Sequence, residues 1–399
     1  MIKIGIYLNS MPYTGGTFQY NQSILEALDN LNKTKYRVYA VYRKEIWENC
    51  LNKYDFENVY LQDVTIHGVR RLVLGILHRL SARCSFFDMA GYKKWYAKIN
   101  PLSKKIDALK LDLMVCPSQD LISAQICTPC MNTIHDLMHR YESFPEVSEK
   151  KEYRFREFLY RNICKSAVSI FVDSHIGKQH VVECYGKRYR HKLYIMPFTP
   201  PGYLFAPFHE GAVISEEVPE KYIFYPAQFW KHKNHKNLIK ALAVLRKRGL
   251  KAELVLAGTK YNGYEETVDL IRRKNLQGQV HILGYVSDDT MKYLYSNARA
   301  MIMPSFFGPT NIPPLEAMAL GCPCAVSNVY AMPDEIGDAG LIFNPNHVND
   351  IADVIEKLWT DDALCRNLAQ RGKNQVKKFS QEQFNKRFQK AAEETLKRI

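Results

Sequence analysis

The chain alternates, twice over, between short apolar runs and amphipathic segments, and that rhythm constrains the fold more than any other feature. In the first half, "KIGIYL", "YRVYAVYR", "LDLMVCPS", "CMNTIHD", "SIFVDS" and "KLYIMPF" read as strands. Helical patterns lie between them. One follows Gly15-Gly16 and sets Ile24, Leu25, Leu28 and Leu31 on one stripe; another starts from Ser174 as N-cap and stops at Gly186. The stretch "MPFTPPGYLFAPFHEGAV" interrupts the rhythm and reads as a linker. The alternation then restarts with "KYIFYPAQ", "AELVLAG", "QVHILG", "ARAMIMPS", "CPCAVSN" and "GLIFNP", and with helices around 237–248, 264–276, 288–297, 314–320 and from 348 onward. Such alternation means parallel sheets covered by helices on both faces. The expectation is an α/β chain of two Rossmann-like, doubly wound domains facing a central cleft, over 1–200 and 201–375. A closing amphipathic helix over 376–399 then has the first domain as its expected packing partner. A length of 399 residues suits two domains.

Composition narrows the partners. Hydrophobic residues make up 46% and charged residues 24%, which excludes a disordered or fibrous chain. The formal net charge of +14 favours an anionic partner: nucleic acid, a lipid surface or a phosphorylated ligand. No run approaches the ~18 apolar residues of a membrane span. "MIKIGIYLNS" alternates like a strand and lacks a signal peptide's apolar block, so a cytoplasmic location is expected. The ten cysteines do not suggest a disulfide scaffold. The pair Cys127 and Cys130 in "CTPC" has no second pair at zinc-site spacing, so no metal site is expected.

Ligands of open α/β sheets sit at the carboxyl ends of the strands, where helix N-termini offer N–H groups to anions. Three strand-to-helix turns in the second block fit that place. In "PAQFWKHKNHKNL", Lys231, His232, Lys233, His235 and Lys236 crowd the approach to a helix; they read either as a diphosphate-binding loop or as a solvated basic loop. In "LGYVSDDTMKYLY", Gly284 and Tyr285 end a strand and can border a nucleotide base, while Asp288 and Asp289 suit the helix dipole. The third is "PSFFGPTNIPPLEAMALG". There Gly308 opens a tight turn, Pro313 and Pro314 stiffen a helix start, and the amides of Thr310, Asn311 and Ile312 can face an anion. Glu316 can accept from vicinal hydroxyls of a ribose, or serve as an ordinary dipole partner; no other acid stands in that turn. The G-x-G-x-x-G fingerprint, the P-loop, G-x-S-x-G and D-x-D are all missing.

"PSFFGPTNIPPLEAMALGCP" followed by "VYAMPDEIGDAGLIFNP" resembles the donor half of GT-B glycosyltransferases of the group 1, or family 4, type. In that family a loop after Pro-Ser carries two glutamates separated by seven residues. Glu316 matches the second, which binds ribose, and Gly308 stands in place of the first, which holds the donor sugar. The family also places an Arg, and five residues on a Lys, against the diphosphate. Gln228 stands at the Arg position and Lys233 at the Lys position, with Lys231 and His232 nearby to add charge. In the first half, "NTIHDLMHR" resembles the acceptor-side loop whose His points into the cleft, which makes His135 the match. Gly15 and Gly16 match the glycine turn approaching the diphosphate, or form an ordinary tight turn.

The resemblance implies transfer of a sugar from a GDP- or UDP-linked nucleotide diphosphate donor to a hydroxyl of a glycan or lipid-linked oligosaccharide, as in capsule or O-antigen synthesis. It further implies retention of anomeric configuration, no metal, and no cofactor beyond the donor. Lys233, Glu316 and His135 are the expected catalytic residues. The stretch "VRRLVLGILHRLSARCSFFDMAGYKKWYAK" reads either as a membrane-surface helix against an anionic inner leaflet or as a buried helix with a basic edge. The alternatives are a catalytically silent GT-B protein that binds a glycan or a partner, and a sugar-nucleotide epimerase whose extra acid/base carboxylates are not visible. Nucleic-acid binding has no motif here.

Overall fold

A computed structural model describes residues 1–12, 15–66, 96–208, 218–308 and 310–399. The chain forms two compact units: Met1–Phe198 with Gln381–Ile399, and Thr199–Ser380. The basic, aromatic stretch 69–98 falls, apart from its last three residues, outside the described residues.

The first unit holds a seven-stranded sheet in the order β3-β2-β1-β4-β5-β6-β7. Its strands are β1 (Ile2–Leu8), β2 (Tyr36–Tyr42), β3 (Val59–Asp63), β4 (Leu113–Cys116), β5 (Cys130–Thr133), β6 (Ser169–Val172) and β7 (Leu193–Ile195). Every pairing is parallel. Strands β4, β5 and β6 are buried along their whole length, as near-continuous apolar runs must be when helices cover both faces. β3 escapes sequence reading because it is an edge strand with mostly exposed residues. The helix Lys150–Ser166 also has no place in the expected series; its buried stripe of Leu159, Tyr160 and Ile163 is diluted by charged residues.

The helix Gly15–Asp29 buries Ile24, Leu25 and Leu28 as the spacing predicts, while Leu31 lies just past its end and is also buried. Ser174 accepts from the Gly177 N–H and caps His175–Tyr185, which ends at Gly186 with φ +115°. The final helix, Gln381–Leu396, joins the first unit's core through Phe384, Phe388, Ala391 and Ala392. Each buried Phe there contributes about 2 kcal/mol.

The second unit holds a six-stranded parallel sheet in the order β10-β9-β8-β11-β12-β13. These are β8 (Ile223–Pro226), β9 (Leu254–Ala257), β10 (Val280–Gly284), β11 (Ala300–Met303), β12 (Cys324–Ser327) and β13 (Gly340–Phe343). In both sheets the strand order reverses once, between β1 and β4 and between β8 and β11. At such a reversal the connections leave in opposite directions, and a crevice opens beyond the carboxyl ends.

Candidate functional site

The connections leaving β8 and β11 carry the basic turn and the Pro-rich turn, so the second sheet's reversal brings together the two strongest sequence signals. Contacts lock the turns to each other. The Phe306 N–H donates to the His232 carbonyl at 2.8 Å, and the His232 ring stacks on Phe307 with centroids 4.1 Å apart. The Tyr225 hydroxyl, at the end of β8, donates to the Lys233 carbonyl at 2.9 Å and lies 3.1 Å from Ser305 Oγ. Asn234 adopts a left-handed φ of 59° that asparagine tolerates, and its side-chain nitrogen donates to the Pro304 carbonyl at 2.9 Å and the Pro345 carbonyl at 3.0 Å.

Lys233 is the cation this frame aims at the Pro-rich turn: its Nζ donates to Asn311 Oδ1 at 3.4 Å. His232 is buried against Phe307, and His235 is pushed down to about 3 by burial and by the Lys233 charge, so it stays neutral. Lys231 lies exposed, with its backbone N–H on Asn262. Gln228 accepts from the Trp230 indole at 3.0 Å, and Trp230 in turn stacks on Tyr261. Gly258, after β9, packs so close that a Cβ there would lie 2.1 Å from the Ala227 carbonyl oxygen, which binds the β8 and β9 exits tightly. Tyr285, expected to border a base, is 73% exposed beyond β10.

The Pro-rich turn departs from expectation in two ways. Asn311 N–H is not open to an anion: it donates to both carboxylate oxygens of Glu335, at 3.3 and 3.4 Å. An acid therefore does stand at this helix start, supplied by the short helix Met332–Ile336 and not by the turn itself. The helix Ile312–Leu320 also begins Ile-Pro-Pro, so the prolines that stiffen its start remove two of its first N–H groups. Positive charge at this helix start therefore comes from Lys233 and the helix dipole, more than from a row of amides, with the Glu335 carboxylate set against it.

Glu316 is 8% exposed and does not point freely outwards. Tyr203 donates to one carboxylate oxygen at 2.7 Å and Tyr295 to the other at 2.6 Å. Burial raises its pKa, opposed by the two phenol bonds and reinforced by Asp288. A carboxylate has about four acceptor sites, so two hydroxyl donors leave room for a diol. Neither tyrosine carried a sequence signal, because a partner so distant in sequence leaves no local pattern.

In the first unit, His135 and the glycine pair lie beyond the carboxyl ends of β5 and β1. His135 is 9% exposed, stacks on Phe198 at 5.7 Å and meets the edge of Tyr20 at 5.0 Å. Both ring nitrogens are buried without a well-formed hydrogen bond, although the Pro117 backbone lies near the ring. Burial lowers its pKa to about 4, with the Asp136 carboxylate pulling the other way. Asp136 is itself held by Arg156 and the Met138 N–H. Gly15 opens the helix Gly15–Asp29 with φ +64° and open space around it, a conformation that favours glycine, and Gly16 follows half-buried. Among the described residues no group of acids, histidines or cysteines is arranged to hold a metal ion, and no helix is long and apolar enough to cross a membrane.

Residues 212–375 match the family described as glycosyl transferases group 1. O-antigen chain mannosyltransferase B of Escherichia coli is 37% identical over 164 residues, which are 40% of this chain and 42% of that protein. The match thus spans well under half of that relative's length. Among solved structures, sucrose-phosphate synthase from Thermosynechococcus elongatus aligns over 100% of both chains with a TM-score of 0.71 and 19% identity. Anabaena HepE in complex with UDP aligns over 99% of this chain and 100% of that one, with a TM-score of 0.71 and 14% identity. Residues 212–375 are therefore similar to the group 1 glycosyl transferases, carried in a chain with the GT-B fold.

Proposed function

We propose that the protein transfers a sugar, mannose first among candidates, from a nucleotide diphosphate donor to a hydroxyl of a glycan in surface-polysaccharide assembly. The observation that carries this reading is the Lys233 ammonium held at the start of the helix Ile312–Leu320, in the crevice where the second sheet reverses. A departing diphosphate gathers negative charge as the glycosidic bond breaks, and a fixed cation beside a helix N-terminus stabilises that charge most in the transition state. Glu316, whose two phenol partners leave acceptor capacity, suits the ribose diol. Retention of configuration without a metal fits this arrangement, with the leaving phosphate taking the acceptor's proton. The mannosyl preference draws on the Escherichia coli relative, and the diphosphate on the UDP held by the Anabaena protein.

His135 is the first unit's contribution to the same reading. Buried and neutral near pH 7, the ring packs between Tyr20 and Phe198 beyond the carboxyl end of β5, and we assign it to the acceptor side of the transfer. We place the acceptor on a lipid carrier at the cytoplasmic membrane face, which gives the basic stretch 69–98 an anionic surface to meet.

Incubation with GDP-mannose, UDP-glucose or UDP-N-acetylglucosamine and a mannose-terminated oligosaccharide, with release of nucleoside diphosphate as the readout, tests the reading. Acceptor-dependent release from one donor supports it. Binding without release favours the catalytically silent alternative. Flotation with anionic vesicles tests the membrane part separately, and no binding at low salt ends it.

A further inference from the structure

Asn311 occupies the N-cap of the helix Ile312–Leu320, where an asparagine ordinarily accepts from the second or third helical N–H. Those positions are Pro313 and Pro314, which have no N–H, and the Asn311 side chain makes no capping bond. Freed from that task, it turns back over the loop. Its Nδ2 donates to the Gly308 carbonyl at 3.4 Å, and its Oδ1 accepts from Lys233 Nζ at 3.4 Å. The backbone N–H is held by Glu335, so a residue only 8% exposed is fixed at both ends.

Gly308 is part of the same arrangement. A Cβ at 308 would lie 2.6 Å from Asn311 Nδ2 and 2.8 Å from its Oδ1, and the glycine's φ of +137° is one that side chains avoid. With the Asn311 amide where it stands, a side chain at 308 has no room. The glycine that stands where the resemblance places an acid is therefore one half of a fitted pair.

We infer that Asn311 is a positioning residue for the donor diphosphate: its amide oxygen holds the Lys233 ammonium at the helix mouth, and Gly308 makes the room. This rests on the transferase reading above and deepens it. An amide oxygen orients a cation without cancelling its charge, whereas a carboxylate in that place pairs with the lysine and removes the charge that the diphosphate requires.

Isothermal titration of GDP and of UDP into the full chain tests this, using wild type, Asn311→Ala, Asn311→Asp, Lys233→Ala and the double variant Lys233→Ala/Asn311→Ala. The alanine change should weaken the better-bound diphosphate about tenfold, the scale of a hydrogen bond to a charged group. Asn311→Asp should weaken it further, and it keeps the test open if the alanine variant loses its fold. In the Lys233→Ala background, Asn311→Ala should add nothing. Equal losses in both backgrounds, or wild-type affinity in Asn311→Ala and Asn311→Asp, overturn the inference and leave the transferase reading standing. A wild-type chain that binds neither diphosphate overturns that reading itself, and the inference with it.

Discussion

Tyr203 and Glu316 stand 113 positions apart in the sequence, and the tyrosine hydroxyl donates to the carboxylate at 2.7 Å. Tyr203 lies in a short turn just after the second unit begins, while Glu316 sits in the helix that follows β11. Burying a carboxylate without donors is costly. The two phenols meet that demand and fix the direction in which its remaining acceptor sites point.

Tyr203→Phe should lower unfolding free energy by about 1–3 kcal/mol, the scale of a lost hydrogen bond to a charged group. Urea denaturation of the variant and the wild type measures it. An unchanged midpoint at unchanged slope means that the phenol does not hold the carboxylate.

Burial raises the Glu316 pKa above its ordinary 4.5, so between 4.5 and the raised value the folded chain binds more protons than the unfolded one. The sign follows: this group's contribution to stability falls as pH rises through that window. Glu316→Gln should flatten that part of the pH–stability curve and abolish nucleotide binding. Retained binding contradicts the ribose role.

Lys233→Ala should reduce transfer by about two to three orders of magnitude, the range seen when a charge-stabilising donor is removed from an active site. The loss should show as nucleoside diphosphate release at saturating acceptor. Turnover close to wild type removes Lys233 from the mechanism.

His135 behaves in the opposite sense to Glu316. Its pKa falls from 6.5 to about 4, so between those values the unfolded chain takes up the proton first. The stability it contributes is present above 6.5 and is lost as pH falls towards 4. His135→Phe should lessen that loss. The rate profile of the wild type should also show no histidine-like step between about pH 5 and 8, because the ring is already neutral there.

Glu157 gives a control outside the proposed site. Burial pushes its pKa up, but Arg140, His139 and Tyr185 win and hold it at about 2, against an ordinary 4.5. Its contribution is present above 4.5 and fades as pH falls towards 2. Glu157→Gln should reduce stability at neutral pH and shrink the acid-induced loss, while nucleotide affinity stays as in the wild type. A changed affinity would mean that this network reaches the site.

What could be read from the sequence, and what could not, divides by range. The strands β8 and β11 announced themselves because buried parallel strands are uniform apolar runs, both of them ending at a Pro, and the segments after them held Lys233, Gly308 and Glu316 in view. Their docking through Tyr225, His232 and Asn234 has no local signature. Asn311 shows the limit most clearly. Asparagine before a helix reads as a cap or as an amide donor, yet two following prolines and a distant Glu335 turn its side chain elsewhere. Tyr203 and Tyr295 reach Glu316 only after the chain has folded, so no spacing rule could name them.

Crystallising the full chain with GDP-mannose, or with UDP-glucose if that donor binds better, tests the central claim most directly. The expected complex has a diphosphate oxygen within hydrogen-bond distance of Lys233 Nζ and a ribose hydroxyl on Glu316, both beyond the carboxyl ends of β8 and β11. A nucleotide bound elsewhere, with Lys233 still on Asn311 and Glu316 touching only its two tyrosines, would contradict it.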